Sequence, residues 1–108
     1  MAYAVYALNV FDKEMNKLPE FDKEIIQKIL LQLKENPYAG DQIRYKFFRE
    51  KRVKEKRIYY LVYDDLEIVL MVAIGGKKAQ KETINKIAGY FKEYRKYAEK
   101  LNNSSYSS

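Results

Sequence analysis

The sequence predicts an α+β domain: a mostly antiparallel sheet in the order β-α-α-β-β-β-α, with an N-terminal helical hairpin packed on one face and a long C-terminal helix. Three observations predict it. A helical apolar stripe runs through Phe21, Ile25, Ile26, Ile29, Leu30 and Leu33; three strand-like runs follow one another between Ile43 and Ile74; and a second helical stripe passes through Ile84, Ile87, Ala88, Phe91, Tyr94 and Ala98. A chain of 108 residues holds one core, so residues 1–101 are expected to form a single domain and residues 102–108 a frayed polar tail.

Tyr3 to Asn9 is rich in β-formers and reads as a first strand ending near Val10. Asp12 is expected to cap a short helix that ends before Pro19, a residue suited to the first turn of a second helix. That second helix carries the first stripe and stops at Asn36-Pro37, after which Pro37 to Asp41 reads as a loop. The three strands are then about Ile43 to Lys51, Lys56 to Tyr63 and Glu67 to Ile74, joined as a meander with Asp64-Asp65 at the second turn. Both alternating sets of the middle run are apolar, and Ile68 to Ile74 is apolar throughout, so both strands should be covered on two faces. Gly75-Gly76 is expected to break the last strand, and one helix to run from about Gln80 to Leu101. Helices segregated to one face of such a mostly antiparallel sheet would make an α+β sandwich.

Charge is distributed unevenly. Between Ile43 and Arg57 lie Arg44, Lys46, Arg49, Lys51, Arg52, Lys54, Lys56 and Arg57, eight bases against Glu50 and Glu55. Removing these from the chain's 21 basic and 15 acidic residues leaves thirteen of each, so a neutral body carries one cationic segment. A charge run is ordinarily a solvated face. Here the bases lie on predicted strands, include arginines whose fork fits two phosphate oxygens, and alternate with Tyr45, Phe47, Phe48, Tyr59, Tyr60 and Tyr63, rings able to stack on bases or fill a core. That mixture suits single-stranded RNA. In a meander the end of the third strand lies beside the start of the second, so Lys77 and Lys78 should approach Arg57 and the Lys51–Lys56 turn. There is no cysteine and no histidine, which removes disulfides, thiolate chemistry and the commonest general base and zinc ligand; no metal or cofactor is expected. With no apolar run of membrane-spanning length and no signal-peptide pattern at Met1 to Tyr6, a cytoplasmic protein without a membrane partner is expected.

The run FFREKRVKEKRIYYLVYDDLEIVLMVAIGGKKAQ, Phe47 to Gln80, resembles the core of RelE-type toxins of toxin–antitoxin pairs, and the hairpin with NKLP and ENP is similar to the same RelE/ParE superfamily. The likeness covers roughly Tyr3 to Ile84. The composition, rich in Lys, Glu, Ile and Tyr, is compatible with a thermophilic source, and an archaeal member is expected. The resemblance implies a messenger RNA interferase: an endoribonuclease toxin that inhibits translation by cutting messenger RNA at the ribosome, the ribose 2′-hydroxyl attacking the adjacent phosphate. It implies Arg57 on the scissile phosphate, Lys54 as a base with its charged form disfavoured by neighbouring cations, and Lys77 or Lys78 as transition-state clamps. Arg44, Lys46, Arg49, Lys51, Arg52 and Lys56 would bind the rest of the RNA. It also implies an antitoxin, a small acidic protein with an amphipathic helix. Two departures stand out. The family's late tyrosine or histidine has no counterpart in Gln80-Lys81-Glu82-Thr83-Ile84, and the turn before Arg57 reads as longer than usual. The alternatives are a non-catalytic ParE-like inhibitor of DNA gyrase and a decayed RNA-binding relative.

Overall fold

The structure, a computed structural model, describes residues 2–106. Five strands form one mixed sheet: β1 (Ala4–Ala7), β2 (Asp41–Ile43), β3 (Tyr45–Val53), β4 (Lys56–Tyr63) and β5 (Ile68–Gly76). Their order across the sheet is β1-β5-β4-β3-β2, with β1 parallel to β5 and every other pair antiparallel. The helices are α1 (Asn9–Asn16), α2 (Glu20–Glu35), α3 (Gln80–Ala88) and α4 (Phe91–Tyr106), with a 3-10 turn at Lys77–Ala79 before α3.

The central strands are covered on both faces because their two alternating sets of side chains enter two different cores. Ile58, Tyr60 and Val62 of β4 pack with Val69 and Met71 of β5 against Phe11, Ile26, Ile29 and Leu33 of the α1/α2 hairpin. Tyr59, Leu61 and Tyr63 pack with Ile68, Leu70 and Val72 against Ile87 and Ala98 on the opposite side. The hairpin therefore takes one face as expected, while α3 and α4 take the other, so the helices are not all segregated to one face. The apolar run of β5 demands this, since a strand apolar on both sides cannot leave one side wet.

Several local expectations are corrected. Asp12 does not cap α1; pairing with β5 continues to Leu8, whose N–H donates to the Met71 carbonyl, and the helix starts at once at Asn9. Asp12 lies in the first turn, where negative charge complements the helix dipole. The first basic strand is two: the chain reverses at Arg44, at φ 58°, so that the short edge strand β2 pairs back onto β3. The turn before Arg57 has only two residues, Lys54-Glu55, because pairing continues to Val53 and Lys56, and Lys54 takes φ 56°. Gly75 and Gly76 do not break β5 but belong to it, opposite Arg57 and Lys56. A Cβ at Gly75 would lie 3.3 Å from Thr83 Oγ1, so that glycine lets α3 approach the strand. The single C-terminal helix is divided at Gly89-Tyr90, glycine being a poor interior helix residue, and Phe91 restarts it against Phe47 and Phe48 with ring centroids at 5.1 and 5.3 Å. α4 stays helical to Tyr106, and residues 107–108 of the expected tail lie outside the described residues.

The start of the chain is tied down by a carboxylate. Asp64 accepts hydrogen bonds of 2.7 Å from both Tyr38 and Tyr3. These two hydroxyls, Tyr38 first, hold its carboxyl below the usual range, and the same bond pushes Tyr3 up to about 12. A carboxyl lowered by folding contributes stability above its unfolded value, near 3.9, that is lost as pH falls through the lower folded value. The thermal midpoint of the wild type is expected to fall more steeply than that of Asp64→Asn between about pH 5 and pH 2. Parallel curves in an acid titration followed by circular dichroism would contradict the role given to Asp64.

Candidate functional site: a cationic cavity at the end of the sheet

Register brings the two basic clusters together. Arg57 pairs with Gly75 and Lys56 with Gly76 across β4 and β5, so the 3-10 turn carrying Lys77 and Lys78 starts beside them. On the other side of β4, Arg57 lies directly opposite Arg52 of β3. Like charges opposite each other on antiparallel strands repel, and nothing in backbone pairing requires them there. Arg52, Lys54, Glu55, Lys56, Arg57 and Lys77 line one cavity of about 150 Å³. Lys78 faces an adjoining hollow with Lys56 and Lys77. Five lining cations against one lining carboxylate, Glu55, with Lys78 close by, make a site that favours an anion.

Arg57 is fixed from behind. Its side chain is 11% exposed and its Nη1 donates to Glu50 Oε1 at 3.2 Å. Glu50, 13% exposed, is Arg57's diagonal neighbour across the β3–β4 ladder, and it also accepts from Gln80 Nε2 at 3.2 and 3.4 Å. Its direct cross-strand partner is Tyr59, whose hydroxyl is buried without a hydrogen bond. Burial, then the Glu50 charge, raises the Tyr59 pKa against an opposing pull from Arg57.

Lys54 reaches the cavity while paired with a carboxylate. Its Nζ lies 3.0 Å from Asp22 Oδ1 and 4.4 Å from the centre of the Phe21 ring, both on α2. That carboxylate oxygen is buried and has no well-angled hydrogen bond, so the contact is an ion pair. An anion, not a ring of cations, is therefore the nearest charged neighbour of Lys54, although it still lines the cavity.

The remaining bases separate. Lys51 borders a second hollow with Gly40, Asp41, Glu50 and Arg52, near the cavity. Arg44, Lys46 and Arg49 lie toward the other end of β3; six residues of strand separate Lys46 from Arg52, about 20 Å. Arg49 is engaged internally: its guanidinium donates to the carbonyls of Gly40, Tyr38 and Lys46 and stacks on the Tyr38 ring. Arg44 donates to Asn85 Oδ1 at 2.6 Å. Lys46 is exposed, with its ammonium 5.0 Å from the centre of the Tyr38 ring. Of the interleaved rings, Phe48, Tyr59, Tyr60 and Tyr63 are core, while Tyr45 is half exposed and stacks on Phe47 at 5.4 Å.

No protein-family model matches the chain, and no curated protein sequence matches it. Solved structures do. A free E. coli RelE toxin with two arginines replaced by alanine superposes with a TM-score of 0.66 at 22% identity, over 81% of this chain and 99% of that one. The fold is that of the RelE toxins. The RelBE2 toxin–antitoxin complex of Mycobacterium tuberculosis matches at TM-score 0.63 and 17% identity, over 71% of this chain and all of its counterpart. The archaeal RelE–RelB complex of Pyrococcus horikoshii matches at 0.62 and 17%, over 71% and 97%. At these identities the RelE likeness concerns the backbone; the residues at the strand end must speak for their own chemistry.

Sequence reasoning missed three members of the site: Glu50, Gln80 and Asp22. Glu50 was legible in principle, because strand alternation places it on the same face as Arg52 and the β3–β4 register places it diagonal to Arg57. Gln80 and Asp22 carry no signal of their own, since they reach the site from helices whose docking the local pattern does not specify.

Proposed function

We propose that this protein is the toxin of a toxin–antitoxin pair, an endoribonuclease that cleaves messenger RNA at the ribosome. The observation that carries the proposal is the meeting of Arg52, Arg57 and Lys77, from three different elements, around one cavity at the end of the sheet. In 2′-hydroxyl attack on the adjacent phosphate, negative charge builds on the non-bridging oxygens, and fixed cationic donors aimed at that charge stabilise the transition state. Arg57 is the rigid donor of this set, with Lys77 facing it and Lys78 beyond. Arg52, Lys51 and Lys56 hold the flanking phosphates, and Lys54 adds field at the mouth of the cavity. The match to RelE toxins, two of them in complexes with RelB antitoxins, supports the toxin reading and an antitoxin partner, for which the cationic cavity calls for acidic residues. Among the described residues no helix is long and apolar enough to cross a membrane.

Expression of the wild type is expected to arrest growth and fragment messenger RNA, and expression of the triple variant Arg57→Ala, Lys77→Ala, Lys78→Ala to do neither. Equal arrest by both, or intact messenger RNA in both, would sink the catalytic reading. The non-catalytic alternative draws on one observation, the use of Gln80 as a hydrogen-bond donor to Glu50 in the region where the family carries a tyrosine or histidine. Inhibition of gyrase supercoiling by the purified protein would favour it.

A further inference from the structure

We propose that Glu50 is the positioning residue of the cavity, holding the Arg57 guanidinium in place while offsetting part of its attraction for RNA. The proposal rests on the nuclease reading and names how that site is regulated from within. Arg57 lines the cavity, whereas Glu50, nearly as covered as Arg57 itself, lines not that cavity but the neighbouring hollow beside Lys51 and Arg52. Glu50 is thus a counter-ion held against Arg57 from outside the cavity. It also joins three elements: it stands on β3, receives Arg57 from β4, and receives Gln80 from the first residue of α3, immediately after the turn carrying Lys77. The groups around it are Arg57 and Tyr59 of β4, Arg52 two positions along β3, Asp41 directly across on β2, and Gln80.

The chemistry requires a carboxylate. Glu50 accepts from Arg57 at one oxygen and from Gln80 at both. An ionised carboxylate is acceptor-only, whereas an amide of the same shape has one acceptor and one donor end and cannot face two donors with both. Without the charge, Arg57 loses its charge-assisted anchor, and a guanidinium displaced by about 1 Å can cost a reaction about 100-fold. The same loss frees Arg57 to attract phosphate more strongly. Glu50 therefore exchanges affinity for alignment, which would let cleaved RNA leave a strongly cationic cavity.

The variant Glu50→Gln tests this through two readouts that a merely structural ion pair would not move in opposite directions. Binding of a single-stranded RNA oligonucleotide is measured across a salt series, and cleavage is measured at saturating protein on ribosomes carrying a defined messenger RNA. Binding is expected to tighten about threefold to tenfold, with a salt slope steeper by up to about 0.7, while the saturated cleavage rate falls at least about tenfold. Gln80→Leu, which keeps the carboxylate but removes its second donor, is expected to slow cleavage by a smaller factor with affinity unchanged. A Glu50→Gln protein that cleaves at the wild-type rate, or binds RNA more weakly, overturns the proposal. If Glu50→Gln does not fold, unchanged cleavage by Gln80→Leu overturns it. A wild type that cuts no messenger RNA overturns the nuclease reading, and this proposal with it.

Discussion

Replacing Arg57 with alanine is expected to slow messenger RNA cleavage by about 100-fold to 1,000-fold, the effect of removing one fixed donor from a developing oxyanion. The loss should appear in the saturated rate more than in RNA affinity, because Arg57 is one of five cations lining the cavity. Arg52→Ala and Lys56→Ala should behave in the opposite way. Each removes an ordinary phosphate contact, lowering the salt slope of single-stranded RNA binding by about 0.7 and leaving the saturated rate within a few-fold. Arg49→Ala belongs to neither class. Its guanidinium holds the carbonyls of Tyr38, Gly40 and Lys46, so RNA binding should be unchanged and stability lower by about 1–3 kcal/mol. Single-turnover cleavage, filter binding and thermal unfolding on these four proteins separate the three roles; an Arg57→Ala protein cleaving within tenfold of wild type would remove Arg57 from the centre of the mechanism.

Gly40→Ala is expected to destabilise the fold by more than about 2 kcal/mol, lowering the thermal midpoint by about 10 °C or more. A Cβ at Gly40 would lie 2.5 Å from the Glu50 carbonyl oxygen and 2.7 Å from the Tyr60 hydroxyl. Neither can give way. The carbonyl belongs to the backbone of β3, and the hydroxyl accepts from the Gly40 N–H at 2.9 Å while donating to the Pro37 carbonyl at 2.9 Å, all in the buried interior. Tyr60→Phe leaves the space and removes both hydrogen bonds, for an expected cost of about 1–3 kcal/mol. A Gly40→Ala midpoint within about 2 °C of wild type would show that the loop can move away from β3.

Gly40 also shows what local pattern could and could not convey. Its place in a loop was legible from Pro37 to Asp41, but its close approach to Glu50 and Tyr60 was not, because that depends on how the loop folds over β3. The central strands were legible for a physical reason: β4 and β5 carry apolar residues on both alternations, and two-sided burial leaves few arrangements open. From their antiparallel pairing followed the approach of Lys77 to Arg57. The division of the basic run was less visible, since Arg44 adopts a left-handed conformation without being glycine, asparagine or aspartate. The individual bases were the hardest to read. Arg49, Arg52 and Arg57 look alike in sequence, yet one holds a loop, one lies open at the cavity, and one is set against an internal carboxylate.

The parallel pairing of β1 with β5 also sets the order in which this molecule can be completed. Ala4 pairs with Ile68, 64 positions later, so β1 waits for β5 before it has a partner. The β3–β4 ribbon closes through a two-residue turn and can form early, while joining β1 requires closure of a long loop, an entropically slower event. Lys77 follows β5 directly. A nascent chain halted before Ile68 thus possesses Arg52 and Arg57 but neither the strand that flanks them nor the lysine that faces them. The cationic cavity comes into being only once β5 and Lys77 have been made, and a chain halted before them lacks the complete site.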